Sequence, residues 1–169
     1  MTTPITGILP VVPTPFFDDG TLDVTGMTRV LDCTIDQGVD AICILANYSE
    51  QFVLSDDERQ QMMRTSLEHV AGRIPMIVTI SHYSTAIARD RAVMAQSMGA
   101  DMVMMMPPYH GAGLKADDNG IMEHYRAVSD AISIPIMVQD APISGVNMSV
   151  DLLAKMAKTI ENVSYFKME

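Results

Sequence analysis

The sequence predicts a parallel α/β fold, a (β/α)8 TIM barrel of which these 169 residues supply about six strands and five helices. Three observations lead there. Short apolar runs alternate strictly with longer helical patterns. The runs are apolar on both faces, as parallel strands covered by helices are. The turn after the first run holds Pro13-Thr14-Pro15-Phe16, not the glycine-rich loop that a doubly wound nucleotide-binding sheet carries there.

Residues 8–12 form the first strand candidate. Helical spacing follows over 24–37, with Asp23 as N-cap and Gly38 as the stop. Residues 41–45 read as a second buried strand. Ser55-Asp56-Asp57-Glu58 is a capping box with acids well placed for the helix dipole, opening a helix to about Ala71. The pattern repeats: strand 76–80, a helix capped by Ser84 or Thr85 and ended by Gly99, and strand 102–106 stopped by Pro107-Pro108. A loop over 110–119 leads to a helix over 120–132. Strand 135–139, loop 142–147, a helix from the Ser149 cap to Thr159 and strand 163–168 complete the series. Against the ~250 residues of a whole barrel, two β/α units are expected to be missing at the C-terminal side. Residues 1–169 are read as a single partial-barrel domain.

Composition narrows the function. Apolar residues make up 48% and charged ones 19%, enough for a packed core and against disorder. A net charge of −10 disfavours nucleic acid and anionic membrane as partners. No run approaches the ~20 apolar residues of a membrane span, and no secretory signal is expected. Cys33 and Cys43 form no CxxC and are read as reduced, buried thiols of a cytoplasmic protein. Sixteen methionines stand beside no tryptophan, and those in apolar runs (Met102, Met104, Met105, Met106) are read as flexible core filling.

In parallel α/β folds the chemistry collects at the C-terminal ends of the strands. There the sequence places Thr14; Asn47, Tyr48, Ser49 and Glu50; Ser81 and His82; Tyr109 and His110; Gln139 and Asp140; and Lys167 with Glu169. Strand side chains alternate, so Lys167 and Glu169 share one face and Phe166 and Met168 the other. If that face is the confined barrel interior, desolvation lowers the lysine's pKa and makes its neutral amine, held beside the Glu169 carboxylate, available to attack a carbonyl. By periodicity alone, a lysine at a frayed strand end is an equal alternative. His69, His82, His110 and His124 show no metal-ligand spacing, so no metal is expected. Asp117-Asp118-Asn119 is read as a helix start and not a cation loop, which needs ligands at alternate positions.

Five segments stand in order along the chain: Thr6-Gly7-Ile8-Leu9-Pro10 with Pro13-Thr14-Pro15-Phe16, Leu54-Ser55-Asp56-Asp57-Glu58-Arg59, Pro107-Pro108-Tyr109, Pro135-Ile136-Met137-Val138 and Asn162-Val163-Ser164-Tyr165-Phe166-Lys167. Together they resemble the dihydrodipicolinate synthase / N-acetylneuraminate lyase family of Schiff-base lyases. The resemblance implies that Lys167 forms the Schiff base with a 2-oxo acid, without any other cofactor. It implies that Asn47, Tyr48 and Ser49 meet the substrate carboxylate. From their place on the rim, Thr14, Tyr109 and His110 are further substrate-binding candidates, with the alternatives that Thr14 satisfies backbone groups and that Tyr109 packs against the lysine or lines the rim. The resemblance also implies a homo-oligomer, commonly a tetramer.

The departures from that pattern redirect the chemistry. The family's Gly-Thr-Thr-Gly-Glu loop is Ala46-Asn47-Tyr48-Ser49-Glu50 here, and Ile143-Ser144-Gly145 stands where the synthase has an arginine. Gln139 replaces the catalytic tyrosine at the end of the fifth strand; an amide cannot relay a proton as a phenol can. Gln139-Asp140-Ala141-Pro142 with Phe166-Lys167-Met168-Glu169 resembles the branch that dehydrates 2-keto-3-deoxy-L-arabonate to 2-oxoglutarate semialdehyde, with Glu169 as base. Two alternatives stay open: a pyruvate-dependent aldolase of the same family, and an inactive sugar-acid binding or oligomerisation module.

Overall fold

A computed structural model describes residues 4–110 and 113–169. The chain divides into two compact units, residues 1–79 with 98–101 and residues 80–97 with 102–169.

In the first unit, helix α1 (Val24–Asp36) begins where the Asp23 carboxylate accepts the Gly26 amide. Its buried face is Met27 and Leu31, one helical turn apart. Cys33 lies two positions on, roughly 200° around the helix, and is exposed. The expectation of two buried thiols therefore holds for Cys43 alone. Strand β1 (Ile42–Ile44) pairs in parallel with β2 (Met76–Thr79). Between them in sequence runs α2 (Asp56–Val70), whose capping box has both arms in place: Glu58 N–H donates to Ser55 Oγ and Ser55 N–H to Glu58 Oε2. Helices α1 and α2 pack together, and Asp32 joins them by accepting from His69 and Arg73, each at 2.8 Å.

The strand expected over 8–12 is only partly realised. Val11 bridges to Cys43, and the flanking bonds Cys43 N–H to Pro10 O and Val12 N–H to Cys43 O are made. Pro10 and Pro13 have no N–H to extend the ladder. Arg59 is the first unit's notable buried charge, donating to the carbonyls of Gln51 and Thr79 at 3.1 and 2.9 Å.

In the second unit, β3 (Met102–Met105), β6 (Ile136–Asp140) and β7 (Val163–Met168) form a parallel sheet in that order. Every residue of β3 is buried, and Met102, Met104, Met105 and Met106 are core side chains as expected. Helix α3 (Thr85–Ser97) buries Ala88, Ala92 and Ala95. Helix α4 (Asp118–Ser129) starts on the Asp117 cap, two residues earlier than expected, and α5 (Val150–Thr159) on the Ser149 cap. The region expected as loop after β3 contains a short antiparallel hairpin, β4 (Tyr109–His110) with β5 (Leu114–Lys115). Gly111 and Ala112, part of that expected loop, lie outside the described residues.

His124 is buried on α4, with Nδ1 at 2.9 Å from Thr85 Oγ1 and no hydrogen-bond partner for Nε2 among the described residues. Burial, aided by the nearby His82, lowers its pKa from 6.5 to about 4. The unfolded chain therefore takes up a proton below pH 6.5 that the folded chain refuses until about pH 4. Stability should fall as pH drops through that window, by roughly 2 kcal/mol between pH 7.5 and 5. Urea unfolding measured against pH checks this. In His124→Leu that loss should disappear, and an unchanged loss would assign it to other groups.

Candidate active site

The position of Lys167 depends on an irregularity in β7. The β6–β7 register runs Ile136 to Val163 and then Met137 to Tyr165, so Ser164 is an extra residue, a bulge. Without it Gln139 would face Phe166. With it, Gln139 pairs with Lys167 and Asp140 with Met168. Glu169 N–H then donates to Asp140 O at 3.1 Å, which holds the strand end against β6.

Lys167 Nζ is ion-paired with Glu169 Oε1, so the expected sharing of one face is realised. The same carboxylate oxygen accepts from Gln139 Nε2 at 2.9 Å. The ammonium and carboxylate side chains are 34% and 33% exposed, while Gln139 is 1% exposed. Buried Gln139 thus fixes the carboxylate, and the carboxylate fixes the amine, yet both reactive groups stay open to a small molecule. Gln139 Oε1 is buried with no hydrogen-bond partner among the described residues. Met168, on the other face, is 59% exposed.

Tyr109 and His110 follow the C-terminal end of β3 through Pro107-Pro108. Burial raises the Tyr109 phenol's pKa, so at neutral pH it remains a donor. His110 is exposed and packs on the ring of Tyr83 at 4.5 Å, which in turn stacks on His82 at 4.2 Å. Tyr83, Pro108, Tyr109, His110, Lys115 and Ala116 line a cleft of about 240 Å³. Tyr83 and Lys115 were not singled out by the sequence. Lys115 reaches across 30 residues to donate to Gly145 O at 2.5 Å, and no local motif encodes a lysine whose partner is a distant carbonyl.

The remaining candidates lie in the first unit. Asn47–Ser49 is a single 3-10 turn after β1, flanked by Leu45 and Glu50 in left-handed conformation (φ 57° and 60°). That backbone costs of order 1–2 kcal/mol per non-glycine residue and persists only where the surroundings enforce it. Here the enforcement is visible. Ser49 Oγ donates to Val12 O at 2.6 Å, and Thr14 Oγ1 donates to Ser49 O at 2.9 Å. Thr14 and Ser49 are buried and spend their hydroxyl protons on the loop itself. Asn47 Oδ1 accepts from Gln51 Nε2 at 2.5 Å, and Tyr48 is 69% exposed. Among the described residues no group of three His, Cys, Asp or Glu could hold a metal, and no helix is long and apolar enough to cross a membrane.

Comparison with known proteins agrees with this architecture. Residues 4–168 match the profile of the dihydrodipicolinate synthetase family. L-2-keto-3-deoxyarabonate dehydratase of Azospirillum brasilense is 58% identical over 163 residues, covering 96% of this chain and 53% of that enzyme. 4-Hydroxy-tetrahydrodipicolinate synthase of Dechloromonas aromatica (strain RCB) is 30% identical, covering 91% of this chain and 52% of its own length. Among solved structures, the chloride-inhibited dihydrodipicolinate synthase from Acinetobacter baumannii complexed with pyruvate superposes with a TM-score of 0.91 at 27% identity. That match covers 98% of this chain and 56% of the other. The chain spans about half the length of the curated relatives it matches. The α/β expectation, with the chain supplying part of a barrel, is borne out by these likenesses. By its sequence and its fold alike, the chain belongs to the dihydrodipicolinate synthetase family.

Proposed function

We infer that the protein is a Schiff-base dehydratase of a 2-keto-3-deoxy sugar acid, 2-keto-3-deoxy-L-arabonate, and that its product is 2-oxoglutarate semialdehyde. One observation carries this reading: a lysine, a carboxylate and an amide meet at the ends of β6 and β7, with the amide where a phenol would serve carbon–carbon cleavage. The 58% identity to an L-2-keto-3-deoxyarabonate dehydratase supports the same substrate.

The geometry lends itself to this sequence of steps. Glu169 takes a proton from Lys167, the free amine attacks the C2 ketone, and the protonated Glu169 returns that proton to the carbinolamine hydroxyl, which leaves as water and gives a protonated imine. Glu169 then removes a proton from C3, and the electron pair moves into the iminium to give an enamine. The enamine expels the C4 hydroxyl, which leaves as water after protonation. Loss of a C5 proton gives a dienamine-enol. Protonation at C3 and ketonisation at C4 form the aldehyde, and water hydrolyses the imine to restore Lys167. The net change is loss of one water from the substrate. Gln139 has no proton to exchange at neutral pH; its role is to hold the Glu169 oxygen in place.

Tyr109 and His110 are assigned to the substrate's side of the β3 end. Asn47, Tyr48 and Ser49 are assigned to carboxylate recognition through the family resemblance, with Thr14 and Ser49 bracing the loop. The reading carries with it a cytoplasmic homo-oligomer that needs no cofactor beyond its own lysine.

Product analysis tests it. With 2-keto-3-deoxy-L-arabonate, the expected outcome is an aldehyde that a semialdehyde dehydrogenase can oxidise, with no pyruvate formed. Stoichiometric pyruvate would establish the aldolase reading instead.

A further inference from the structure

The cleft beside the β4–β5 hairpin has a chemistry that the reaction scheme leaves unused. Its walls include the rings of Tyr83, Tyr109 and His110, and it carries one cation, Lys115. Among the described residues Lys115 has one partner, the carbonyl of Gly145. An ammonium has three donors, so two remain for a ligand. Gly145 closes the 3-10 turn Pro142–Ser144 that follows β6, the strand bearing Gln139. Tyr109 follows β3, the neighbour of β6 on its other side. The cleft's elements thus leave the C-terminal ends of β3 and β6, strands of the same parallel sheet as β7, whose C-terminal end carries Lys167 and Glu169.

A substrate joined to Lys167 through C2 must place C3 to C5 and their hydroxyls beyond the imine. Ring faces suit its C–H surface, and hydroxyl oxygens need donors. We propose that this cleft is the subsite for the hydroxylated tail of the substrate and that Lys115 is its specificity-determining donor, an assignment that rests on the imine reading of Lys167. The Gly145 carbonyl positions the ammonium, and Tyr109 supplies a second donor.

The test compares ligands with and without a tail. Half-saturating concentrations for borohydride trapping are measured for pyruvate and for a 2-keto-3-deoxypentonate. The protein, Lys115→Met and Lys115→Arg are compared. The ratio of the five-carbon value to the pyruvate value should rise about tenfold in Lys115→Met, the effect of losing one charge-assisted hydrogen bond. It should stay within about threefold of the original in Lys115→Arg, which keeps charge and donors. An unchanged ratio in Lys115→Met overturns the assignment, because a purely structural contact to Gly145 would weaken both ligands together. Trapping of pyruvate but not of the five-carbon acid by the unsubstituted protein would also overturn it, while leaving the imine standing. Trapping of neither would remove the imine reading and this assignment with it.

Discussion

Lys167→Ala is expected to abolish turnover, by on the order of 10⁴-fold or more, and to end all borohydride-dependent attachment of substrate. The reaction has no route to the enamine without a covalent electron sink, and Lys167 is the amine set beside Glu169 and opposite Gln139. The substitution should leave the fold intact, since the side chain is partly open to solvent and Glu169 keeps its bond from Gln139. Lys167→Arg separates the two roles of the group. A guanidinium preserves the ion pair but does not deprotonate to attack a ketone, so it should be as inactive as alanine. Turnover measured alongside a thermal midpoint checks both points. Substantial activity in either variant would place the chemistry elsewhere.

Glu169→Gln should lower kcat by about 10²- to 10⁴-fold, the usual contribution of a positioned general base. It should still allow imine trapping at long reaction times, because the amine stays in place and can lose its proton to water instead of to Glu169. The substrate C3 proton should then exchange with deuterated solvent more slowly by a similar factor. If Glu169→Gln exchanges that proton at the original rate, the base is another group, and the carboxylate's part is confined to holding the lysine.

Local rules made much of this chain readable. The caps at Asp23, Ser55, Asp117 and Ser149 each act within three residues, so a sequence window contains the whole interaction. The methionine-rich strand β3 declared its burial through an unbroken apolar run. The pairing of Lys167 with Glu169 followed from the two-residue period of a strand.

What escaped was non-local or exceptional. The bulge at Ser164 decides that Lys167 meets Gln139 and not a neighbour, and nothing in Val163-Ser164-Tyr165 announces it. The β4–β5 hairpin has strands of two residues each, too short for any periodicity. The first strand looked regular because its apolar residues are regular, while its prolines limit the ladder. Residue type alone predicts burial for Cys33, while its position around α1 exposes it. Nothing local marks Lys115, because its partner is Gly145, 30 residues away.

In the proposed reaction the amine of Lys167 captures the ketone of a 2-oxo acid. Borohydride reduction of the protein in the presence of 2-keto-3-deoxy-L-arabonate, followed by mass mapping of the peptides, reads that bond itself. A single added substrate mass on the peptide containing Lys167, carried by that side chain, is the predicted result. A label on any other residue, or none at saturating substrate, would contradict it.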